Sequence, residues 1–575
     1  MRVKILMNPS KYNQNNINAD IDEIIAKKKT YIRKQCKADS LVHKQFIFLD
    51  LFKVANYYFY CIMFGSGAIH QELKLDKLLY LHGVNVFFDH VFCDFAEAQY
   101  APTFLTKNAG GIHSFIKICG ETGELERVKD YCKYNLIEYI GQSENCLQFR
   151  FTNKYIGLEN FEILEGIARA ERILERQKFE IDDIDQKKSD VIKQMKKYVY
   201  PWQQHFIGYD TNEIIDTYYF DIAKLYVERT FYFDCFNGNA EFGGIPYKIY
   251  SQCATLIISF ALKHIEYSRL LTRKHSEIKF INVLTINRDI AEMVDIFSSV
   301  CEISVNEAKQ VFDCFTLTNE KYHYHRKNID YLIMPYVAVS KTQVVFSVVG
   351  ALSGIYAFLL GELSRKFPRD WSKNISERES QFRKDIFKLF DDDLYIKIDR
   401  NLPIQSNSKT LTDIDGCIIE KETNQIVFFQ LKWQEQYGDN IGRRQSRMQN
   451  FLNETYKWID DMTDWLKKSD EMKLASMLGL KEKQIDVDKV TLFVVGKHSV
   501  HFSGNDKQDD RAEWALWLQL QRLYSEDSTA FRSLKTLFEK LKEDSPYNKL
   551  PKHKTQFMRM EELSIEIYPY RYMEK

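Results

Sequence analysis

Asp415, Gln430 and Lys432 interrupt two apolar, β-branched and aromatic runs, LTDIDGCIIE and IVFFQLKW, that flank the polar segment EKETNQ. Such runs read as the two strands of a β-hairpin. Residues directly opposite one another in an antiparallel pair point to the same face. Pairing Glu420 with Gln425 then sets Asp415 opposite Gln430 and Asp413 opposite Lys432, so two carboxylates, an amide and an ammonium share one face. The other face carries Ile414, Ile418, Val427, Phe429 and Leu431 and is expected to be core. A slip of one residue would set Asp415 against Leu431 and scatter the cluster. Polar groups on an apolar hairpin are costly to desolvate unless they pair or bind a metal, so this face reads as a chemical site. Asp413 has the weaker claim, since it can simply start the strand or pair with Lys432.

The flanking segments must position that face. SERESQFRKDIFKLF (376–390) reads as a helix on which Glu379 lies at i, i+3, i+7 with Phe382 and Ile386 and so turns toward the core. Ser376 and Glu379 also spell S-x-x-E, a capping box, and the two readings compete on equal terms. After the hairpin, GRRQSRMQNFLNETYKWI reads as a helix with the apolar stripe Met448, Phe451, Leu452, Ile459 and Met462. Arg443, Arg444 and Arg447 occupy its first turns, where backbone N–H groups also favour phosphate. VTLFVVGK (490–497) is the next expected strand, and DDRAEWALWLQLQRLY (509–524) a covering helix packed through Trp514 and Trp517. His498 and His501 read as structural.

A Glu-bearing helix (ERESQF), an Asp on a strand (TDID) and Gln430-Leu431-Lys432 on the next strand resemble the PD-(D/E)xK nuclease superfamily, with its restriction-endonuclease-like fold. The resemblance covers about residues 375–500. It implies an α/β core of order αβββαβ, with a mixed central sheet flanked by helices. The activity implied is Mg²⁺-dependent phosphodiester hydrolysis, with Mn²⁺ as an alternative cation and endonuclease favoured over exonuclease. Asp415, Glu379 and the Leu431 carbonyl would hold the metal. Lys432 would stabilise the anionic transition state or help orient and deprotonate the attacking water. Arg443, Arg444 and Arg447 would contact the nucleic-acid backbone, DNA being favoured over RNA. Gln430 departs from the usual Glu or Asp and resembles the Mrr-like branch. Its amide is a weaker cation ligand than a carboxylate, and the helix Glu is expected to compensate. A long helical region joined to such a nuclease resembles bacterial defence effectors and restriction-type enzymes. The rival expectation is a nuclease-fold protein without catalysis that binds nucleic acid or a protein partner.

The rest of the chain sets bounds. At about 150 residues per domain, 575 residues hold two to four domains. With only 23 Gly and 10 Pro, and 14% aromatics, the chain is neither collagen-like nor disordered. Basic and acidic residues both number 80, so a polyanion would have to be held by a local patch. The eleven cysteines form no CxxC or similarly close pair, which fits a reducing cytoplasm and argues against a zinc knuckle. The opening MRVKILMNPSKYNQNN lacks the apolar core of a secretory signal. Thr342–Gly361 is uncharged and nearly long enough to span a bilayer, but reads better as a strand of a hairpin followed by a buried helix, so no membrane is expected.

Trp and Cys usage changes near FPRDW (367–371). We therefore expect a mainly helical recognition or regulatory region over 1–335, long enough for two subdomains and able to serve a homodimer or a partner protein. A strand-helix connector over 336–370 and the nuclease-like domain over 371–575 would follow. Within the first region, His323 and His325 read as a surface loop or edge strand, and Asp89, His90 and Asp94 as structural.

Overall fold

The computed structural model describes residues 14–65, 77–95, 109–143, 146–158, 160–230, 236–328, 333–406, 409–434, 440–480, 486–504, 508–548, 555–560 and 563–570. The opening segment read for a signal falls mostly outside them. The protein is a mixed α/β, multidomain chain with several small sheets. Two compact units emerge, one comprising Asp130–Arg172 with Ile375–Lys575, the other Ser10–Lys129 with Ile173–Asn374. The break at 375 lies close to the expected 371, but Asp130–Arg172, expected in the N-terminal region, belongs with the C-terminal segment.

The unit containing the hairpin is built on a five-stranded sheet. Helix α1 (Pro368–Phe387) leads into β1 (Tyr395–Ile398), and a small hairpin, β2 (Leu402–Ser406) and β3 (Lys409–Ile414), follows. Next come β4 (Gly416–Glu420), β5 (Ile426–Lys432), α2 (Ile441–Leu466), β6 (Val490–Gly496), β7 (Ala512–Leu516) and α3 (Trp517–Glu526). The sheet order is β1-β4-β5-β6-β7: the first three strands are antiparallel neighbours, and β5, β6 and β7 run parallel. A parallel pair needs a long crossover, which α2 supplies between β5 and β6. Strand β4 is buried throughout and β5 at all but its last position, as near-continuous runs covered on both faces should be.

The register is the expected one: Gly416 pairs with Phe429, Ile418 with Val427, and the Glu420 N–H donates to the Gln425 carbonyl at 2.9 Å. Asn424, in the turn, has φ 57°, a left-handed conformation that Asn tolerates. The core beneath the sheet gathers Phe382, Ile386, Phe387 and Phe390 with Ile418, Val427, Phe429, Leu431, Phe493 and Val495. Fully burying each of these side chains contributes roughly 1.5–3 kcal/mol.

Three local expectations change. Residues 512–516 are a strand, not part of a helix, because AEWAL extends the parallel sheet and only Trp517 begins α3. Trp514 and Trp517 therefore do not share a helix face: the Trp517 ring joins the core, and the Trp514 indole N–H donates to the Asp509 carbonyl at 2.8 Å. The run 409–420 is not one strand either. It breaks at Asp415, and residues 409–414 pair with β2. A second sheet in this unit joins Ile137–Ser143 and Cys146–Phe151 to Ser564–Tyr568 and Gln556–Arg559.

The other unit combines long helices, among them Leu41–Phe64, Glu213–Thr230 and Tyr247–Lys274, with a four-stranded sheet, so the N-terminal region is not purely helical. Segment 336–370 is no connector: Tyr336–Ala338 and Gln343–Phe346 are the two inner strands of that sheet, and Ile355–Lys366 is a helix with a buried face. The expected strand, hairpin and buried helix in Thr342–Gly361 are present. Leu41–Phe64 is, among the described residues, the one helix long and apolar enough to cross a membrane, and 61% of its most apolar window is buried.

His323 and His325 lie on a helix, Asn319–Asn328, rather than a loop or edge strand. His325 is fully buried, and its Nε2 lies 2.7 Å from Glu362, which also accepts from Arg365 at 2.7 Å and faces Lys321 at 3.2 Å. Asp89 is structural, as expected, paired with Arg326 and bonded by the Tyr322 hydroxyl.

Candidate functional site

Asp415 is the single residue between β3 and β4, where the chain leaves the small hairpin and enters the main sheet. Its N–H donates to the Phe429 carbonyl at 2.9 Å, which keeps it in register opposite Gln430. Its carboxylate Oδ2 accepts two hydrogen bonds, from the Gln430 side-chain amide at 2.7 Å and from the Leu431 N–H at 2.7 Å. Two short donors fix the carboxylate plane and leave Oδ1 to face other groups. The Lys432 carbonyl accepts from the N–H of Lys497, just past the end of β6, at 2.9 Å. Alternation along the strand therefore turns the Leu431 carbonyl, like its N–H, to the Asp415 edge.

Burial is the main influence on Asp415, pushing its carboxyl up from 3.8 to about 6. The Leu431 N–H and the Lys432 ammonium pull it down, while the charges of Asp413 and Glu379 push it further up. Asp415 thus feels the two other expected carboxylates, and Lys432 shares its neighbourhood. The ammonium of Lys432 itself bonds Glu454 on α2 at 3.0 Å.

Two expected placements need correction. Asp413 does not stand opposite Lys432: its partner is Pro403 in β2, its side chain is exposed, and its carbonyl accepts from the Trp458 indole at 2.8 Å. Ile414 likewise pairs with Leu402, though it is buried. Glu379 is exposed rather than turned into the core, while Phe382 and Ile386 are fully buried. Its capping-box reading fails too, because α1 already begins at Pro368 and Ser376 lies in mid-helix. Glu379 therefore stands at the rim of the site, close enough for its charge to act on Asp415.

Arg443, Arg444 and Arg447 lie half-buried on the first two turns of α2, whose N-cap Asn440 accepts the Arg443 N–H at 2.9 Å. The expected apolar stripe is buried at Phe451, Leu452, Ile459 and Met462. His498 and His501 stay structural: desolvation holds both imidazoles far below their ordinary range, with Lys497 and Arg378 adding to the effect at His498.

Several residues that hold the site escaped sequence reasoning. Arg383, one turn beyond Glu379, is largely buried and reaches three oxygens: Asp399 Oδ1 at 2.6 Å, Asn401 Oδ1 at 2.6 Å and the Asp415 carbonyl at 2.8 Å. It ties α1, the β1–β2 turn and the Asp415 joint together. Gly416 makes room for it, since a Cβ there would lie 2.8 Å from Arg383 Cδ and 2.9 Å from Phe387 Cζ. Lys497 is buried with its ammonium 4.7–5.2 Å from the ring centroids of Trp433, Phe382 and Trp517, and the Arg378 guanidinium lies 4.6 Å from the Trp433 ring. Glu162, from the distant 130–172 segment, accepts from Ser499 Oγ at 3.0 Å and the Val500 N–H at 3.1 Å, fixing the loop after β6. An RxxxF pattern one turn after a helix Glu could have flagged Arg383; nothing in the sequence signals Glu162.

Among the described residues no three His, Cys, Asp or Glu side chains converge tightly enough to cage a metal. The donor set is narrower: one half-buried carboxylate with a raised pKa, an adjacent backbone carbonyl, and two carboxylates at the rim. That suits a hard divalent cation which keeps most of its waters, as Mg²⁺ does, and does not suit a closed structural metal. Comparison of the chain with protein-family models, with curated proteins and with solved structures finds no match.

Proposed function

We propose that the unit containing Asp415 is a divalent-cation-dependent nuclease that hydrolyses phosphodiester bonds, DNA being the favoured substrate and internal cleavage the favoured mode. One observation carries the reading. A half-buried carboxylate, pushed up to about 6, is held by its neighbours beside the end of β5, whose last residue is a lysine on the same face. With the β2–β3 hairpin as an insertion, α1, the antiparallel strands β1, β4 and β5, α2 and the parallel β6 are compatible with the αβββαβ order of the PD-(D/E)xK resemblance, which supports the reading.

Asp415 Oδ1, the Leu431 carbonyl and Glu379 at the rim would hold Mg²⁺, or Mn²⁺ in its place. When bound, the cation supplies charge neutralisation at the phosphodiester and an acidified water. Gln430 and the Leu431 N–H orient the Asp415 carboxylate, and Arg383 holds its backbone. Lys432, released from Glu454, donates to the attacking water or to the developing anion. Water oxygen bonds to phosphorus, the bond from phosphorus to the leaving sugar oxygen breaks, and the proton lost by water returns through solvent to that oxygen. Arg443, Arg444 and Arg447, at the start of α2, would dock the flanking phosphates. A defence or restriction-type role, controlled through the N-terminal region, fits this assignment.

A second reading has its own observation. The Gln430 amide already donates to Asp415, and Lys432 is paired with Glu454, so the site is satisfied without a cation. In that reading the unit binds nucleic acid or a protein without cutting. The test incubates the full chain with plasmid, linear and single-stranded DNA and with RNA, in Mg²⁺, Mn²⁺ or EDTA, beside Asp415→Ala and Lys432→Ala. Cation-dependent cutting lost in both variants supports the nuclease. Tight nucleic-acid binding without cutting, unchanged in Lys432→Ala, supports the second reading.

A further inference from the structure

A cavity of about 420 Å³ opens in the other unit, between the helices Lys178–Tyr198, Glu213–Thr230 and Tyr247–Lys274 and the end of Leu41–Phe64. That volume falls within the roughly 300–1,000 Å³ typical of small-molecule sites. Ile184, Ile222, Leu262 and Ile265 line it with the rings of Tyr218 and Tyr226. Its wall is mostly apolar, and two of its hydroxyls are already engaged: Tyr226 donates to the Leu352 carbonyl at 2.8 Å and Tyr219 to Met195 Sδ at 3.3 Å.

Five charged side chains complete the lining, and four of them are neutralised in pairs. Arg269 faces Glu266 at 3.5 Å and donates to the Tyr60 hydroxyl at 2.6 Å, and Lys188 lies 3.8 Å from Asp185. The fifth, Arg229, is half-buried with its guanidinium 5.8 Å from the centroid of the Tyr226 ring. Among the described residues it has no carboxylate within 4 Å. A mostly apolar cavity with one cation at its wall that no described carboxylate neutralises complements one kind of occupant. We propose that this cavity is a binding site for a small organic monoacid with an apolar, aromatic or branched body, its acid group meeting Arg229. The walls desolvate the body, and the guanidinium, which presents several donors in a plane, selects the anion. The inference does not depend on the nuclease reading.

Two probes of nearly the same shape test it on the full chain: anilinonaphthalene sulfonate, which carries one negative charge, and its neutral analogue N-phenyl-1-naphthylamine. The expected result is saturable fluorescence enhancement by the sulfonate at one molecule per chain. Arg229→Gln should weaken the sulfonate about tenfold and the neutral probe less than twofold, since an anion gains a charge-assisted contact that a neutral body lacks. Ile222→Trp, which fills the cavity, should remove both; Leu225→Trp serves if that variant loses its native circular dichroism. Absence of one-to-one binding overturns the proposal. So does sulfonate binding that Arg229→Gln leaves untouched, or a loss in that variant that is equal for both probes.

Discussion

Replacing Asp415 by Asn should make the protein more stable, and by an amount that depends on pH. Both donors to the Asp415 carboxylate bond the same oxygen, Oδ2, at 2.7 Å, so an Asn carbonyl placed there accepts both and the local geometry survives. The folded carboxyl titrates near 6, against 3.8 ordinarily. A raised carboxyl pKa means that the folded state binds its proton more tightly than the unfolded state. The associated stability is complete below about pH 4 and is lost as pH rises to about 6. At 1.36 kcal/mol per unit the ionised group costs about 3 kcal/mol at neutral pH, or about 2–3 after allowance for the part of the side chain that water reaches. Asn carries no such cost. Urea unfolding followed by tryptophan fluorescence should therefore find Asp415→Asn close to the native protein at pH 4, ahead by about half the full difference at pH 5, and ahead by about 2–3 kcal/mol from pH 7 to 8. A variant less stable at pH 8, or an offset that stays flat from pH 4 to 8, would refute the idea that this carboxylate is held ionised at a cost.

The remaining predictions concern the scaffold. Arg383→Gln removes a guanidinium shared by Asp399, Asn401 and the Asp415 carbonyl, and should lower unfolding free energy by about 2–3 kcal/mol, with Arg383→Lys recovering part; a change below about 0.5 kcal/mol would mean that the joint is held by other groups. Gly416→Ala forces a Cβ to within 2.9 Å of two side chains and should cost about 1–3 kcal/mol in the same assay, whereas a neutral result would show that Arg383 and Phe387 can retreat. Glu362 is kept below its ordinary range despite burial by His325, Arg365 and Lys321, so Glu362→Gln should destabilise the N-terminal unit by about 3–5 kcal/mol at pH 7, with the deficit shrinking as the native carboxylate protonates in acid. Glu454→Gln should leave cation-dependent cleavage intact or raise it, because Glu454 competes for the Lys432 ammonium; loss of cleavage would make Glu454 part of the machinery instead.

The hairpin was legible because a period of two leaves little freedom: once EKETNQ is a turn, the apolar runs allow one register, and Asp415 falls opposite Gln430. What the pattern could not show was the break at Asp415. Residues 409–414 alternate like a continuation of β4, yet they pair with Leu402–Ser406, a partner brought in by the tertiary fold. Asp413 therefore faces Pro403 rather than Lys432. The spacing of Trp514 and Trp517 suits a helical stripe, yet the edge of β6, invisible in sequence, claims AEWAL as a strand. Its spacing to Phe382 points Glu379 inward, but it is Arg383, on the next turn, that is buried against the joint. Long-range partners such as Glu162 leave no local trace.

The most direct test of the central claim is the cleavage rate of Asp415→Asn relative to the native protein at saturating Mg²⁺, measured on samples whose stability has been compared at the same pH. The account predicts a variant more stable than the native protein and at least about a thousandfold slower. A variant that is equally folded and cuts at the native rate would contradict it.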